Sequence, residues 1–225
     1  MATPKSQRIG IWVIAIVMIV GTIGSFLVMI LANKNNKVDQ AHIQQLATQY
    51  QSDYKAYQAK VDAQTTQLSG QYFQTFNAYA STPAAFNKDS VTKLEKVDLK
   101  QGDGQTLDGN SAFTAYYIGW TPDGKVFDSS INGSQLKAPL TAAPGGVIAG
   151  WMQGVSGVKI DGVRELTIPA DLAYGSSGSG DKIPPNTPLK FVIMVIPTPA
   201  KITEPQPPQD LVNYYNSTTG GSGVQ

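Results

Sequence analysis

The chain has no cysteine and only one histidine, His42, among its 225 residues. The lack of cysteine excludes disulfide bonds, thiol nucleophiles and cysteine metal sites. His42 stands in a glutamine-rich stretch that predicts an exposed helix position, so no serine has a histidine base for a charge-relay triad. The sequence therefore implies no metal and no cofactor, and any chemistry must come from other side chains.

Charge is scarce as well. Charged residues make up 15% of the chain and the formal net charge is +1. A surface of this kind does not attract polyanions, so the sequence predicts no nucleic-acid partner. Hydrophobic residues reach 41%, which is enough for a folded core, although part of this share lies in one N-terminal block.

That N-terminal block, residues 9–32, contains no charged residue. At 1.5 Å per residue a helix over this range is roughly 36 Å long, enough to cross a ~30 Å hydrocarbon core. We predict an uncleaved signal anchor with residues 1–8 in the cytoplasm and the rest of the chain outside a cell membrane that is crossed once. A cleaved signal peptide is disfavoured, because the apolar run is long and bulky Ile30 stands at the recognition position before Ala32.

Residues 33–90 predict a helical stalk followed by a linker. Neither proline nor glycine occurs in residues 38–68, and apolar residues recur there at spacings of three, four or seven, which is typical of an amphipathic helix. Two interpretations stay open: a homodimeric coiled coil through residues 38–68, and a polar helix that rests on the neighbouring domain. Gly70 is predicted to interrupt the helix, with a second short helix over residues 71–80.

Residues 91–199 differ in composition from the preceding part of the chain, because glycine and proline separate short runs of residues that are typical of strands. These runs predict strands at 94–99, 111–120, 165–168 and 189–196. Asp123-Gly124 predicts a hairpin turn, and the range 144–158 holds the one helix candidate. The pattern indicates an α+β domain whose antiparallel sheet covers its apolar face with a short helix.

The centre of this domain is the stretch Val147-Ile148-Ala149-Gly150-Trp151. The neighbouring motifs share aromatic or branched side chains spaced by glycine or proline: Phe127-Asp128-Ser129-Ser130, Ala173-Tyr174-Gly175 and Ile183-Pro184-Pro185. Asp128 and Tyr174 are the side chains of these motifs that are expected to make hydrogen bonds with a ligand. This composition suits a small, dry, concave pocket with few polar groups.

Seven blocks in this region resemble the FK506-binding family of peptidyl-prolyl cis/trans isomerases (rotamases) in order and in near-spacing, over about residues 92–196. The blocks are Tyr117-Ile118-Gly119, residues 123–130, residues 147–151, Leu166-Thr167-Ile168-Pro169, Leu172-Ala173-Tyr174-Gly175, Ile183-Pro184-Pro185-Asn186 and Leu189-Lys190-Phe191. The resemblance implies a curved antiparallel sheet of about five strands wrapped around one short helix.

The resemblance also implies site residues. The catalytic positions that it assigns are Asp128, Tyr174, Trp151 and Phe127, and the substrate-binding positions are Tyr117, Val147, Ile148, Ile183, Phe191 and Leu140. Trp151 is expected as the pocket floor, and the Ile148 N–H and the Tyr174 hydroxyl as donors to substrate carbonyls. Leu140 is only the nearest counterpart of an aromatic wall. The loop 176–182 lacks an aromatic residue or histidine, so it is expected to bind substrate less tightly than the corresponding rim of the family pocket.

The implied partners are proline-containing segments of exported proteins, with FK506-like macrolides as inhibitors. Rotation about an X-Pro bond needs no base or nucleophile, which agrees with the shortage of histidine and cysteine. Two other functions stay open, a non-catalytic peptide-binding module and a membrane-tethered chaperone that uses residues 38–80. The Pro/Gly/Ser-rich tail, residues 200–225, is predicted to be disordered.

Overall fold

The structure is a computed structural model that describes residues 37–219. The predicted cytoplasmic segment 1–8 and the predicted membrane span 9–32 lie outside these residues. Within the described part of the chain, no helix combines the length and the apolar character that a membrane crossing needs. The described residues divide into two compact units, one formed by residues 37–62 together with 201–219, and the other by Ala63–Ala200.

Helix α1 spans Lys37–Asn77 and passes through Gly70 without a break. The predicted interruption and the separate second helix are therefore wrong. A glycine inside a helix costs only about 1 kcal/mol relative to alanine. Burial of Tyr72 and Phe76, two and six residues further along, offsets that cost.

The first unit contains a helix where the sequence predicted a disordered tail. Helix α3 spans Gln209–Thr219, and the His42 Nε2 on α1 lies 3.7 Å from the Asp210 carboxylate. The α1 residues buried in this unit recur every three or four positions: Ile43, Ala47, Tyr50 and Tyr54. The prediction of disorder is wrong for residues 209–219, because composition alone does not reveal that a polar tail has an apolar helix face beside it.

The second unit contains eight strands and the short helix α2, Ala149–Val155. The strands are β1 Glu95–Lys100, β2 Phe113–Trp120, β3 Val126–Ser129, β4 Ile131–Asn132, β5 Gln135–Leu136, β6 Leu140–Ala142, β7 Val163–Ile168 and β8 Leu189–Ile196. The main sheet has the order β1-β7-β8-β2-β3, with β6 paired to the first half of β2, and every pairing is antiparallel. The expected α+β class is confirmed; the short strand β6 is added to the five expected strands, and β4 and β5 form a separate ribbon.

Strand β2 separates two cores, because successive side chains of a strand point to opposite faces. Phe113 and Ala115 belong to the core that contains Trp151 of α2, whereas Tyr116 and Ile118 belong to the core on the other face.

Helix α1 covers that second face with the residues Leu68, Tyr72, Phe73 and Phe76. The last third of α1 is thus part of the sheet domain. The compact unit begins at Ala63, within the predicted stalk, rather than at residue 91.

Candidate active site

Helix α2 places Trp151 in its first turn, directly against the sheet. Ile148 precedes the helix in an extended conformation, with φ −61° and ψ 149°. A Cβ on Gly150 would lie 2.3 Å from Ile168 Cγ2, and one on Gly154 would lie 2.4 Å from Leu166 Cδ1. These two glycines therefore let the helix approach β7 closely, which sets the depth of Trp151; its side chain is only 3% exposed.

Three aromatic rings surround the Trp151 indole. The ring centroids of Tyr117 and Phe191 lie 5.2 Å and 5.3 Å from it, at interplanar angles of 75° and 88°. Phe113 stacks at 6.3 Å. Edge-to-face contacts of this kind stabilise aromatic clusters beyond their area burial. Phe113 was not predicted, although its i, i+4 relation to Tyr117 on a strand places both on one face.

A fourth ring, Phe127, joins the cluster through Phe191, with centroids 5.6 Å apart and planes at 86°. The backbone of Gly119 lies under both rings. A Cβ at Gly119 would be 2.5 Å from Phe191 Cε1 and 2.6 Å from Phe127 Cζ, so only glycine leaves room for the pair. The sequence motif contained Gly119, but nothing in it indicated this steric role.

Tyr117 is held at both ends. Its hydroxyl donates to Asp128 Oδ2, while its N–H donates to Ser130 Oγ at 2.9 Å. Burial, and then the Asp128 carboxylate, raise the pKa of Tyr117. The hydroxyl of Tyr117 therefore stays protonated, and its hydrogen bond to Asp128 fixes the ring against Trp151.

Asp128 is also fixed, because the Ser129 N–H donates to its Oδ1 at 2.8 Å. The Lys137 ammonium lies 3.8 Å from the same oxygen, and both side chains are about half exposed. Solvent screens such a pair, so Lys137 adds little to the stability of the site. Asp128 thus acts on the pocket chiefly through the Tyr117 hydroxyl.

Two hydrogen-bond donors border the cluster. The Tyr174 side chain is half-buried against the cluster. Burial, and then the Asp128 carboxylate, raise the pKa of Tyr174, so its hydroxyl stays protonated at neutral pH. Neither this hydroxyl nor the Ile148 N–H makes a hydrogen bond with any residue of the described range. Both donors are available to a carbonyl group.

The structure brings nearly all the predicted site residues together. Val147, Ile148 and Tyr174 pack against the core that contains Trp151, Phe191 and buried Ile183. Lys182, which precedes Ile183, donates from Nζ to the Phe127 carbonyl at 3.1 Å and so ties the 176–182 loop to β3.

Leu140 lies at the margin of this cluster. It pairs with Ala115 across β6 and β2, which places it on the pocket face of the sheet. It is 36% exposed and is not among the residues packed on the aromatic core.

Known proteins resemble this chain over the same region. The family model of the FKBP-type peptidyl-prolyl cis-trans isomerase matches residues 100–196. An FK506-binding protein of Neisseria meningitidis serogroup B is 38% identical over 99 residues, which cover 44% of this chain and 90% of that relative. A probable FKBP-type peptidyl-prolyl cis-trans isomerase, FkpA, of the same organism is 36% identical over 138 residues, 61% of this chain and 48% of that protein.

A solved structure of a peptidyl-prolyl cis-trans isomerase from Pseudomonas syringae covers 65% of this chain and 92% of that chain, at 27% identity and a TM-score of 0.41. The Neisseria FK506-binding protein decides the family, since nearly its whole length aligns with residues of this chain at 38% identity. The chain therefore belongs to the family of FKBP-type peptidyl-prolyl cis-trans isomerases, enzymes that act on proline-containing substrates and bind FK506-like ligands.

Proposed function

We propose that the cluster around Trp151 is the pocket in which this isomerase rotates X-Pro bonds. The observation that carries the proposal is the ring arrangement: Tyr117 and Phe191 stand edge-on to Trp151 at 5.2 Å and 5.3 Å, with the donors of Ile148 and Tyr174 beside them. An apolar floor with few polar groups is the usual composition of a small-ligand site.

The chemistry follows from the peptide bond. Amide resonance opposes rotation with a barrier of about 18–20 kcal/mol, and water stabilises the polar planar amide more than the twisted one. An apolar pocket that fits the twisted form therefore lowers the barrier, because it binds the transition state better than the ground state. Each ~1.4 kcal/mol of this difference accelerates rotation about tenfold.

The polar residues have positioning roles in this proposal. The Tyr174 hydroxyl and the Ile148 N–H donate to the carbonyls that flank the proline, while Asp128 holds the Tyr117 ring through its hydroxyl. No proton is transferred to or from the substrate. Phe127, Val147 and Ile183 form the apolar walls, which favour bulky apolar residues before the proline, and Leu140 extends this surface at the margin.

We also propose that the substrates are exported polypeptides and that residues 9–32 anchor the enzyme, with the domain outside the cytoplasmic membrane. The support is the uncharged run in the sequence, preceded by a short basic segment. Protease added to spheroplasts should remove the domain while residues 1–8 persist. Full protection of the domain, or a mature N-terminus after residue 24 or 32, would contradict this location.

The pocket is tested by cis-to-trans conversion of short X-Pro peptides with the full chain, in the presence and absence of FK506. We expect acceleration that FK506 abolishes and that Trp151→Ala removes after correction for the folded fraction. Asp128→Asn should keep partial activity, and the wild-type rate should stay flat from about pH 6 to 8, because no side chain acts as a general acid or base. A folded wild-type chain without activity would instead favour the peptide-binding module.

A further inference from the structure

Helix α1 makes a buried hydrogen bond with the segment that carries Asp128. The Ser69 hydroxyl accepts from the N–H of Leu136, the last residue of β5, at 2.8 Å, and Ser69 is 7% exposed. Tyr72 and Phe76 share its helix face, because residues three and seven positions apart lie on one side of a helix. Serine has a lower helix propensity than alanine, so its place on this apolar face indicates a role for the hydroxyl.

The ribbon of β4 and β5 has little stability of its own. It contains only two residue pairs, Ile131 with Leu136 and Asn132 with Gln135, and an isolated two-stranded hairpin is at best marginally stable. Leu136 belongs to the core beneath α1, and Ile131 packs against that core. Without the Ser69 hydroxyl the buried N–H of Leu136 would lose its acceptor, which costs more than an exposed hydrogen bond. The contact with α1 therefore fixes the position of the ribbon.

Hydrogen bonds continue from this ribbon to the pocket. The Lys137 N–H donates to the Ser130 carbonyl at 2.9 Å, and the Lys137 ammonium donates to the Ser129 carbonyl at 2.7 Å. Buried Ser130 donates its N–H to the Tyr117 carbonyl at 2.8 Å and accepts with Oγ from the Tyr117 N–H at 2.9 Å. The Ser129 N–H donates to Asp128 Oδ1 at 2.8 Å. A displacement of the ribbon therefore reaches both partners of the hydrogen bond between Tyr117 and Asp128.

We propose that Ser69 is a positioning residue of the prolyl pocket. Its hydroxyl holds the ribbon through Leu136, and the ribbon holds Asp128 and the Tyr117 ring against Trp151. The proposal rests on the proposed function, because that function makes the cluster around Trp151 the reaction site. Ser69 contacts no substrate, since α1 covers the face of the sheet opposite to Trp151. Its effect on the reaction comes from the geometry of the Tyr117 ring.

Hydrogen–deuterium exchange of the full chain tests the contact itself. Ser69→Ala removes the acceptor, whereas Ser69→Thr keeps it. Thr114→Val is the control, because Thr114 is a buried residue on the same face of the sheet whose hydroxyl donates to Thr198 Oγ1 at 3.3 Å, away from the ribbon. Relative to the rest of the domain, the amides of residues 129–137 should exchange at least about threefold faster in Ser69→Ala. Ser69→Thr and Thr114→Val should leave this exchange unchanged.

Isomerisation of a short X-Pro peptide by the same chains tests the effect on the pocket. The kcat/KM per folded molecule should fall at least about threefold in Ser69→Ala, return in Ser69→Thr and stay at the wild-type value in Thr114→Val. In an Asp128→Asn background the Ser69→Ala change should have a much smaller effect, because residues that act through one network are not additive. If Ser69→Ala does not fold, Ser69→Cys replaces it with a weak acceptor of similar size.

Three outcomes would overturn the proposal: unchanged exchange of residues 129–137, unchanged kcat/KM per folded molecule, or an equal effect of Ser69→Ala in the two backgrounds. A wild-type chain that does not isomerise peptides would contradict the proposed function instead. The affinity of the same variants for FK506 then takes the place of the rate, and the exchange measurement tests the contact between Ser69 and the ribbon in either case.

Discussion

Gly119 shows how one residue sets the spacing of the aromatic cluster. Gly119→Ala would place a methyl group 2.5 Å from Phe191 and 2.6 Å from Phe127, so both rings must shift from their positions in the cluster. We expect the variant to fold with lower stability, by about 1–3 kcal/mol as for an overpacked core, and to lose isomerase activity beyond its loss of folded fraction. Activity per folded molecule equal to that of the wild type would show that the rings do not shape the pocket.

The buried hydroxyl of Tyr116 predicts that the protein loses stability at high pH. Burial, and then the neighbouring Tyr72, raise the pKa of Tyr116 to about 12 from an ordinary value near 10. Between these values the unfolded chain has released the proton and the native chain still binds it, so the free energy of unfolding is unaffected by this group below pH 10 and falls as pH rises toward 12.

The expected effect of Tyr116→Phe follows from that sign. The stability of the wild type should fall above pH 10 more steeply than that of the variant, by up to about 1.4 kcal/mol per pH unit. At pH 7 the variant should be as stable as the wild type or slightly more stable, because the hydroxyl has no partner there. Urea unfolding at pH 7, 10 and 11 measures both effects, and parallel pH profiles would contradict the assignment.

At the scale of the helices, two glycines predict opposite outcomes for the same substitution. Gly70 lies inside α1 with no atom within 4 Å of an added Cβ, so Gly70→Ala should stabilise the protein by about 0.5–1 kcal/mol. Gly154→Ala in α2 should destabilise it, because the Cβ would lie 2.4 Å from Leu166 Cδ1. Thermal unfolding of the two variants tests the pair, and stabilisation by both would refute the close packing of α2.

Arg164 joins helix α2 to two strands. Its guanidinium donates to both Asp98 carboxylate oxygens on β1 and to the carbonyls of Gly154 and Ser156 at the end of α2. Arg164→Met leaves those buried carbonyls unpaired and should cost about 1–3 kcal/mol in urea unfolding. Arg164→Lys keeps the charge but lacks the planar guanidinium, so its stability should lie between those of the wild type and Arg164→Met.

The same contact predicts a response to acid. The hydrogen bonds from Arg164 hold the pKa of Asp98 below its ordinary value, so this stabilisation is present above about pH 4 and is lost as pH falls through the lowered pKa. The wild type should therefore lose more stability than Arg164→Met between pH 5 and 2. Equal losses would show that the ion pair does not stabilise the fold.

At the scale of the whole molecule, the covering helix determines where the domain begins. A chain that starts at residue 91 lacks Tyr72 and Phe76, which bury Tyr116, and it also lacks Phe86. We expect such a chain to unfold at lower urea than one that starts at residue 63, or to aggregate, and Phe76→Ala in the full chain to cost about 3–5 kcal/mol. Equal stability of the two truncated chains would show that α1 is only an attachment.

The parts that sequence reasoning predicted are those with local signals. Strand β8 and the hairpin around Asp123-Gly124 follow from short apolar runs and turn residues, and the motif at Trp151 marked the site. The extent of α1 and the helix α3 were missed, because both depend on burial against residues far away in the chain. Phe113 and Gly119 were missed because their roles are distances between side chains, which no single motif encodes.

The outer edge of β1 has a consequence for an enzyme of a family that acts on proline-containing substrates. All six residues of this strand are exposed, and only its inner edge is paired, to β7. Such an edge invites a further strand and so polymerisation. Alternating charges at Glu95, Lys96, Asp98 and Lys100, together with a register shift after Asp98, oppose this. These features oppose the addition of a polypeptide substrate, or of another copy of the chain, to the sheet as a further strand.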